Sequence, residues 1–246
     1  MGASIAELCT FGDKCIDEGC EKVFSNKKLE KGVAYPTTCS VNELCGHYSP
    51  CKSEDTFLKA GDLAKVNLGV HIDGYLALLG HTVVVGGGEV TGKKADAVMA
   101  AWTGLQACVR LLKPGNNTTQ CTEMIQKSCE SYNANPLEGV LSHEVQRWLI
   151  DGNNCIINKE TYDQRVTEHE FAVNEIYVLD VYASSGEGKP KESELRTNVY
   201  KRAVENNYDL KSKTARAFFS ELKKRFPSFG FSLRSFEDEL VYFFEI

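Results

Sequence analysis

The chain lacks any long apolar run, and no hydrophobic segment approaches the roughly 18 residues that a membrane-spanning helix needs. Its ten cysteines include no C-x-x-C pair, which argues against a zinc site or a dense disulfide framework. Free buried thiols in a reducing, intracellular compartment are the expectation. No G-x-S-x-G element, P-loop or G-x-G-x-x-G is present, and Gly86-Gly87-Gly88 is interpreted as a hinge.

A net charge of −6 argues against nucleic acid as a partner, but the basic residues are unevenly distributed. Residues 189–225 hold eleven basic and five acidic side chains, a local net charge of +6, so the remainder carries −12. Tyr200 and Tyr208 lie among them and can stack on bases. A solvated helix face is the alternative interpretation, because charge clusters alone are a weak signal. The residues assigned to RNA binding are Lys189, Lys191, Lys201, Arg202, Lys211, Lys213, Arg216, Lys223, Lys224 and Arg225.

Hydrophobic periodicity predicts an α+β chain, and its length of 246 residues predicts a single domain over residues 1–246. Apolar residues recur at helical spacing over 5–23, 98–112, 119–132 and 213–226, which predicts four helices. The second helix is marked by Val98, Ala101, Trp102, Leu105, Val109 and Leu112, and Pro114-Gly115 ends it. Residues 175–185 alternate and are rich in β-branched and aromatic residues, which predicts a strand.

Two alternating apolar runs flank Asp73-Gly74, a dipeptide that supplies the positive φ of a type I′ turn. This pattern predicts an antiparallel hairpin over 62–86, with Asn67 and Leu78 facing each other across it.

Three blocks along the chain resemble the methionine aminopeptidase family. The hairpin is one, Gly46-His47-Tyr48-Ser49-Pro50 lies in the second, and the strand region of 174–191 is the third. The elements SSGEGK and KTARAFFSELKKRF are similar to the proliferation-associated, growth-factor-receptor-binding branch, a non-peptidase group related to type 2 methionine aminopeptidase. The resemblance implies a pita-bread (creatinase/aminopeptidase-like) fold, a curved antiparallel sheet backed by helices. It also implies a chain shortened at both ends, without a leading helix and the closing C-terminal strands.

The same resemblance locates a degenerate metal site at Asn67, Leu78, His143 and Asp180. The family's two hairpin aspartates correspond to Asn67 and Leu78, its histidine falls at Ser142 or His143, its first glutamate corresponds to Asp180, and its last has no counterpart. A dinuclear site needs several carboxylates to offset the repulsion between two dications, and here Asp180 is the one carboxylate. We therefore expect no bound metal, no cofactor and no catalytic residue.

These observations favour a catalytically inactive aminopeptidase-like scaffold that binds structured RNA or ribosomes and regulatory proteins in growth or translation control. No small-molecule substrate and no membrane are expected, and the location would be cytoplasmic and nuclear or nucleolar. One alternative is a residual methionine aminopeptidase with a single metal at His143 and Asp180. Another is a module that holds peptide N-termini in a pocket at His47 and Tyr48 without cutting them.

Overall fold

A computed structural model describes residues 2–54 and 56–236 of the chain. The chain divides into two compact units. Unit 1 comprises Met1–Gly87, Arg147–Leu149 and Leu195–Ile246, and unit 2 comprises Gly88–Gln146 and Ile150–Glu194. The single domain expected for residues 1–246 stays a prediction.

Helices and strands follow the chain in a mixed order. The helices are α1 (Ile5–Lys22), α2 (Gly92–Leu111), α3 (Thr118–Ser131) and α4 (Lys213–Arg225). The strands are β1 (Lys31–Val41), β2 (Leu63–Ile72), β3 (Tyr75–Val84), β4 (Asn135–Pro136), β5 (Leu141–Glu144), β6 (Cys155–Ile157), β7 (Tyr177–Val178), β8 (Ala183–Ser184), β9 (Val199–Tyr200) and β10 (Phe231–Ser232). Lys52–Glu54 and Leu233–Phe236 form short 3-10 helices. The four predicted helices are confirmed to within a few residues at their ends, except that α2 begins six residues before the predicted start.

Unit 1 is built around α1 and an antiparallel sheet in the order β1-β2-β3. Helix α1 begins after Ser4, whose hydroxyl accepts a hydrogen bond from the backbone N–H of Glu7 at 3.0 Å. Its buried stripe of apolar residues meets the sheet in one core cluster. The members of that cluster are Ile5, Cys9, Cys39, Tyr48, Leu58 and Ala64.

The strand β1 was not foreseen, because Pro36 lies within it. Its pairing with β2 changes register between Tyr35 and Thr38, on either side of the proline. Proline has no N–H to donate to a ladder and is tolerated at such irregularities. A strand interrupted in this way has no clean alternation for a sequence pattern to detect.

Unit 2 packs α2 against α3 above short strand pairs. The buried positions of α2 are Ala100, Gly104 and Cys108. Trp102 and Val109, which mark this helix in the sequence, are 49% and 53% exposed. Small residues four apart permit close approach of the helices, since a Cβ added at Gly104 would lie 3.6 Å from the Cα of Ile125 in α3.

The strand predicted over 175–185 is confirmed only at its two ends, as β7 and β8. Between them, hydrogen bonds with side chains take the place of the backbone hydrogen bonds that pair two strands. The backbone N–H of Asp180 donates to the hydroxyl of Ser142 at 2.8 Å, and the amide of Asn158 donates to the carbonyl of Tyr182 at 2.8 Å. Buried backbone groups are satisfied in this way without a continuous strand.

All ten cysteines are free, and eight of them are buried. Burial raises the pKa of Cys9 to about 12 and that of Cys129 to about 11. These thiols remain protonated at neutral pH and are therefore poor nucleophiles. The prediction of free buried thiols is confirmed, with Cys15 and Cys45 as the exposed exceptions.

Candidate functional site

The tip of the β2–β3 hairpin is a two-residue turn, as predicted. Asp73 and Gly74 have φ of +53° and +82°, the positive values that a type I′ turn requires. Ile72 pairs with Tyr75 across the turn, and the ladder continues in register from there.

That register corrects the prediction that Asn67 and Leu78 face each other. Asn67 lies opposite Gly80, and Leu78 lies opposite Gly69. With only two residues in the turn, Leu78 comes two positions too early on the returning strand to face Asn67. The two side chains still share one face of the hairpin, because residues two apart on a strand point to the same side.

Each of these side chains covers the glycine opposite it. A Cβ added at Gly80 would lie 3.4 Å from Oδ1 of Asn67, and one added at Gly69 would lie 3.2 Å from Cδ2 of Leu78. Gly69 is also covered by Tyr35 of β1, whose Cβ is 2.9 Å from the same added atom. This face of unit 1 therefore presents an amide and packed hydrocarbon at the positions compared with metal-binding aspartates.

A separate group of residues holds the hairpin tip. Arg147 donates to the carbonyl and the carboxylate of Asp73, at 2.8 and 2.6 Å. The Trp148 ring covers Gly74. The rings of His71, Trp148 and Phe229 contact one another, with the His71 centroid 5.4 Å from that of Trp148 and 4.7 Å from that of Phe229. Burial in this cluster lowers the pKa of the His71 imidazole below its ordinary value, so His71 is neutral at pH 7.

The other two residues of the predicted degenerate site belong to unit 2. His143 pairs with Cys155 on one side and with Val178 on the other. Its Nδ1 contacts the carbonyl of Gly152 at 3.0 Å, a contact that requires Nδ1 to carry the proton. Val178 precedes Asp180 by two residues, so the sheet brings the backbones of His143 and Asp180 close together within this unit.

The two predicted pocket residues differ in exposure. Tyr48 is buried in the core cluster of unit 1, where its hydroxyl donates to the carbonyl of Glu54 at 3.1 Å. His47 is exposed, has a φ of +62°, and accepts a hydrogen bond at Nδ1 from the hydroxyl of Tyr35. The side chain of Tyr48 is therefore unavailable to a peptide, which corrects its assignment as a pocket residue.

The basic segment forms a concave surface in unit 1. We call this the aromatic groove; its volume is about 300 Å³. Tyr208 lies against Phe219 with ring centroids 4.8 Å apart, and Tyr200 lies 6.1 Å from Phe231. The residues that line the groove are Tyr200, Lys201, Arg202, Tyr208, Phe218, Phe219, Leu222, Phe231 and Leu233.

The predicted basic residues are not equivalent. Three arginines are engaged by backbone carbonyls of the same unit: Arg202 donates to Pro227, Arg216 to Leu210 and Lys211, and Arg225 to Ser235. The lysines 211, 213, 223 and 224 are exposed on or beside α4, while Lys189 and Lys191 belong to unit 2. Lys201 and Arg202 are the predicted basic residues that line the groove, and Nζ of Lys223 lies over the Phe219 ring, 5.4 Å from its centroid.

The phenylalanines of the groove were not foreseen as site residues. Phe218 and Phe219 lie on the helix predicted over 213–226, and both are partly buried. The signal that could have identified them is the proximity in sequence of Tyr200 and Tyr208, because aromatic residues among lysines are unusual for a solvated surface.

Within residues 2–54 and 56–236, no three His, Cys, Asp or Glu side chains come together as metal ligands. No helix in the same part of the chain is both long enough and apolar enough to cross a membrane.

Comparison with known proteins gives consistent matches along the chain. A model described as metallopeptidase family M24 matches residues 6–188. The chain is 40% identical over 244 residues to "Proliferation-associated protein A" of Dictyostelium discoideum, covering 98% of this chain and 63% of that protein. It is 42% identical over 240 residues to "ERBB-3 binding protein 1" of Solanum tuberosum, covering 96% and 62%. The chain thus spans less than two thirds of the length of these relatives.

Solved structures agree with this. A structure described as a thermophilic Arx1 superposes with a TM-score of 0.88 at 29% identity, covering 97% of this chain and 71% of that one. A methionine aminopeptidase from Thermotoga maritima superposes with a TM-score of 0.62 at 22% identity, covering 78% and 74%, a likeness that concerns the fold alone. These matches, with the antiparallel sheets and the helices packed on them, confirm the predicted α+β aminopeptidase-like fold.

Proposed function

The chain belongs to metallopeptidase family M24, and from this we propose that it is a catalytically inactive methionine aminopeptidase-like scaffold. In this proposal it binds structured RNA or ribosomes, together with regulatory proteins, in growth or translation control. The observation that carries the proposal is the hairpin face on which Asn67 and Leu78 cover the glycines opposite them.

The loss of catalysis rests on electrostatics. Two adjacent dications repel each other strongly, and carboxylates normally offset this repulsion. Asn67 brings a neutral amide, and Leu78 brings no lone pair. A hydroxide nucleophile generated by metal ions has no basis on such a face.

The chain should release no methionine from a short peptide, even with added cobalt or manganese. Elemental analysis and isothermal titration with these ions should find no tightly bound stoichiometric metal. The double variant Asn67→Asp with Leu78→Asp is the matched comparison, because it restores both carboxylates and should bind the metals more tightly than the wild type. Tight metal binding or turnover by the wild-type protein would favour the residual aminopeptidase with His143 and Asp180 as ligands.

The proposed RNA contact is the aromatic groove. Its exposed tyrosines offer faces on which bases can stack, and Lys201 and Arg202 lie beside them to meet phosphate. Nε of Arg202 is buried and has no hydrogen-bond partner among the residues that are described. Buried polar groups are normally satisfied, so a donor in this state at the groove is consistent with a ligand oxygen.

Replacing Tyr208 with alanine should weaken binding of a structured RNA with unpaired bases. Base stacking on an aromatic ring contributes about 1–3 kcal/mol, which corresponds to roughly five-fold to more than one-hundred-fold in Kd. Fluorescence anisotropy at several salt concentrations measures this, and affinity should fall steeply with salt.

The matched charge controls are Lys201→Glu in the groove and Lys127→Glu on α3, which is exposed in unit 2. The first should reduce RNA affinity further than the second. Equal losses from both, or an affinity indifferent to salt, would leave a solvated basic face as the better account.

Protein partners are proposed from likeness alone. The name of the Solanum tuberosum relative says that it binds ERBB-3, and by analogy this chain would act through regulatory proteins as well as RNA. A cytoplasmic and nuclear or nucleolar location is part of the same proposal.

A further inference from the structure

Unit 1 contains a second concavity, of about 500 Å³, whose lining is distinct from that of the aromatic groove. Its walls come from α1, from β1 and from the segment that begins at the end of α4. We call it the charged cavity. Its volume falls within the range of roughly 300–1,000 Å³ that is usual for small-molecule sites.

The cavity is basic although the chain is acidic. Its basic lining residues are Lys14, Lys31, Lys52, Arg225 and Arg234. Asp13 and Asp17 are its acidic ones, and His71 is neutral at pH 7, so the lining carries a net charge of +3. The whole chain carries −6. A positive lining within a negative protein concentrates anions at that one place.

The contacts of the two acidic residues limit how far they offset the positive charge of the lining. Asp13 accepts from the backbone N–H of Thr37 at Oδ1 and from Arg234 at Oδ2, both at 2.7 Å, so both of its oxygens are occupied. Burial, aided by Asp13 and Glu21, raises the pKa of Asp17, whose negative charge is therefore held less firmly than that of an ordinary aspartate. Lys14 is paired with Glu18 at 3.7 Å, whereas Nζ of Lys31 donates to the uncharged backbone carbonyl of Val23 at 2.7 Å.

Arg234 provides a buried donor at this place. Its side chain is 7% exposed, and its terminal nitrogens bond to Asp13, Thr10 and Ser49. Its Nε is buried and has no hydrogen-bond partner within the part of the chain that the structure describes. An unsatisfied guanidinium N–H in a cavity that lysines also line is a donor set that phosphate oxygens take.

We propose that the charged cavity binds a compact, phosphate-bearing polyanion, with Arg234 and Lys31 as the inner contacts and Lys52 at the mouth. A concavity of this volume fits a pyrophosphate group or the phosphates of a free nucleotide. An RNA strand, in contrast, needs an extended surface along its backbone. The inference is independent of the RNA proposal, since the cavity and the groove share no lining residue.

Isothermal titration of the whole chain with pyrophosphate at fixed ionic strength tests this. The wild type should bind one equivalent, and Lys31→Gln with Lys52→Gln should weaken binding at least ten-fold. Lys28→Gln is the matched control, because Lys28 is an exposed lysine outside the cavity and its replacement should leave Kd unchanged. Arg234→Lys, which keeps the charge beside Asp13 but removes Nε, should also weaken binding, with folding checked by circular dichroism.

Three outcomes would overturn the assignment. These are no binding at millimolar pyrophosphate, an equal loss in the Lys28→Gln control, and displacement of pyrophosphate by a structured RNA. The last would make the cavity part of an RNA surface. Tyr208→Ala should leave pyrophosphate binding unchanged, so that failure of this proposal and failure of the RNA proposal give different patterns.

Discussion

Replacing Gly74 with alanine should destabilise the protein by about 2–5 kcal/mol, because two separate costs fall on one methyl group. The residue has a φ of +82°, a conformation that costs an L-residue about 1–2 kcal/mol. In addition, an added Cβ would lie 2.5 Å from ring carbons of Trp148, closer than van der Waals contact allows. The rigid indole cannot move aside without giving up its contacts with His71 and Phe229.

Urea unfolding followed by far-UV circular dichroism gives the change in the free energy of unfolding. The matched control is Gly87→Ala. Gly87 also has a positive φ, of +72°, but an added Cβ there meets no atom within 4 Å. The free energy of unfolding of that variant should fall by about 1–2 kcal/mol, the cost of a positive φ for an L-residue. If both variants lose the same amount, the packing of Trp148 on the turn contributes nothing to stability.

The turn itself could be predicted from sequence, since Asp73-Gly74 encodes its own backbone conformation. Its covering by Arg147 and Trp148 could not. Those residues come from a segment more than seventy positions later in the chain, and no local pattern connects the two.

The helices were recovered because a 3.6-residue period is a strong local signal. The buried face of α2 does not follow its largest apolar side chain, because Trp102 is exposed and close helix packing selects small residues such as Ala100 and Gly104. Packing depends on the neighbouring helix, and that information is absent from the sequence of α2 alone.

In the candidate sites, too, local features could be predicted from sequence and contacts between distant segments could not. A resemblance could identify the hairpin and its substitutions, but the cross-strand partner of Asn67 depended on turn length and was predicted two residues away from its position. Charge density drew attention to residues 189–225, yet in Arg202, Arg216 and Arg225 the guanidinium groups bind nearby carbonyls. The charged cavity gave no signal at all, because its basic residues are spread from Lys14 to Arg234 and only folding gathers them.

Removing the carboxylate of Asp13 should be the most costly change near that cavity. Asp13 and Arg234 form an ion pair at 2.7 Å, with side chains 16% and 7% exposed. Breaking a buried pair by deleting one partner costs about 3–5 kcal/mol, because the remaining charge is left desolvated and uncompensated. Asp13→Ala also removes the acceptor of the Thr37 backbone N–H, a donor in the interior of β1.

The measurement is urea unfolding of a single and a double variant. Asp13→Ala alone should lose about 3–5 kcal/mol, while Asp13→Leu with Arg234→Met should lose less, since no buried charge is then left without a partner. The exposed pair of Lys14 and Glu18, at 3.7 Å on the same helix, supplies the control: Glu18→Gln should change stability by about 0.5 kcal/mol or less. A double variant as unstable as Asp13→Ala would show that the hydrogen bond to Thr37, and not the charge on Arg234, dominates at this site. If Asp13→Ala loses no more stability than Glu18→Gln, water reaches the guanidinium of Arg234. Arg234 is then not a desolvated donor, and the phosphate recognition proposed for the charged cavity loses its basis.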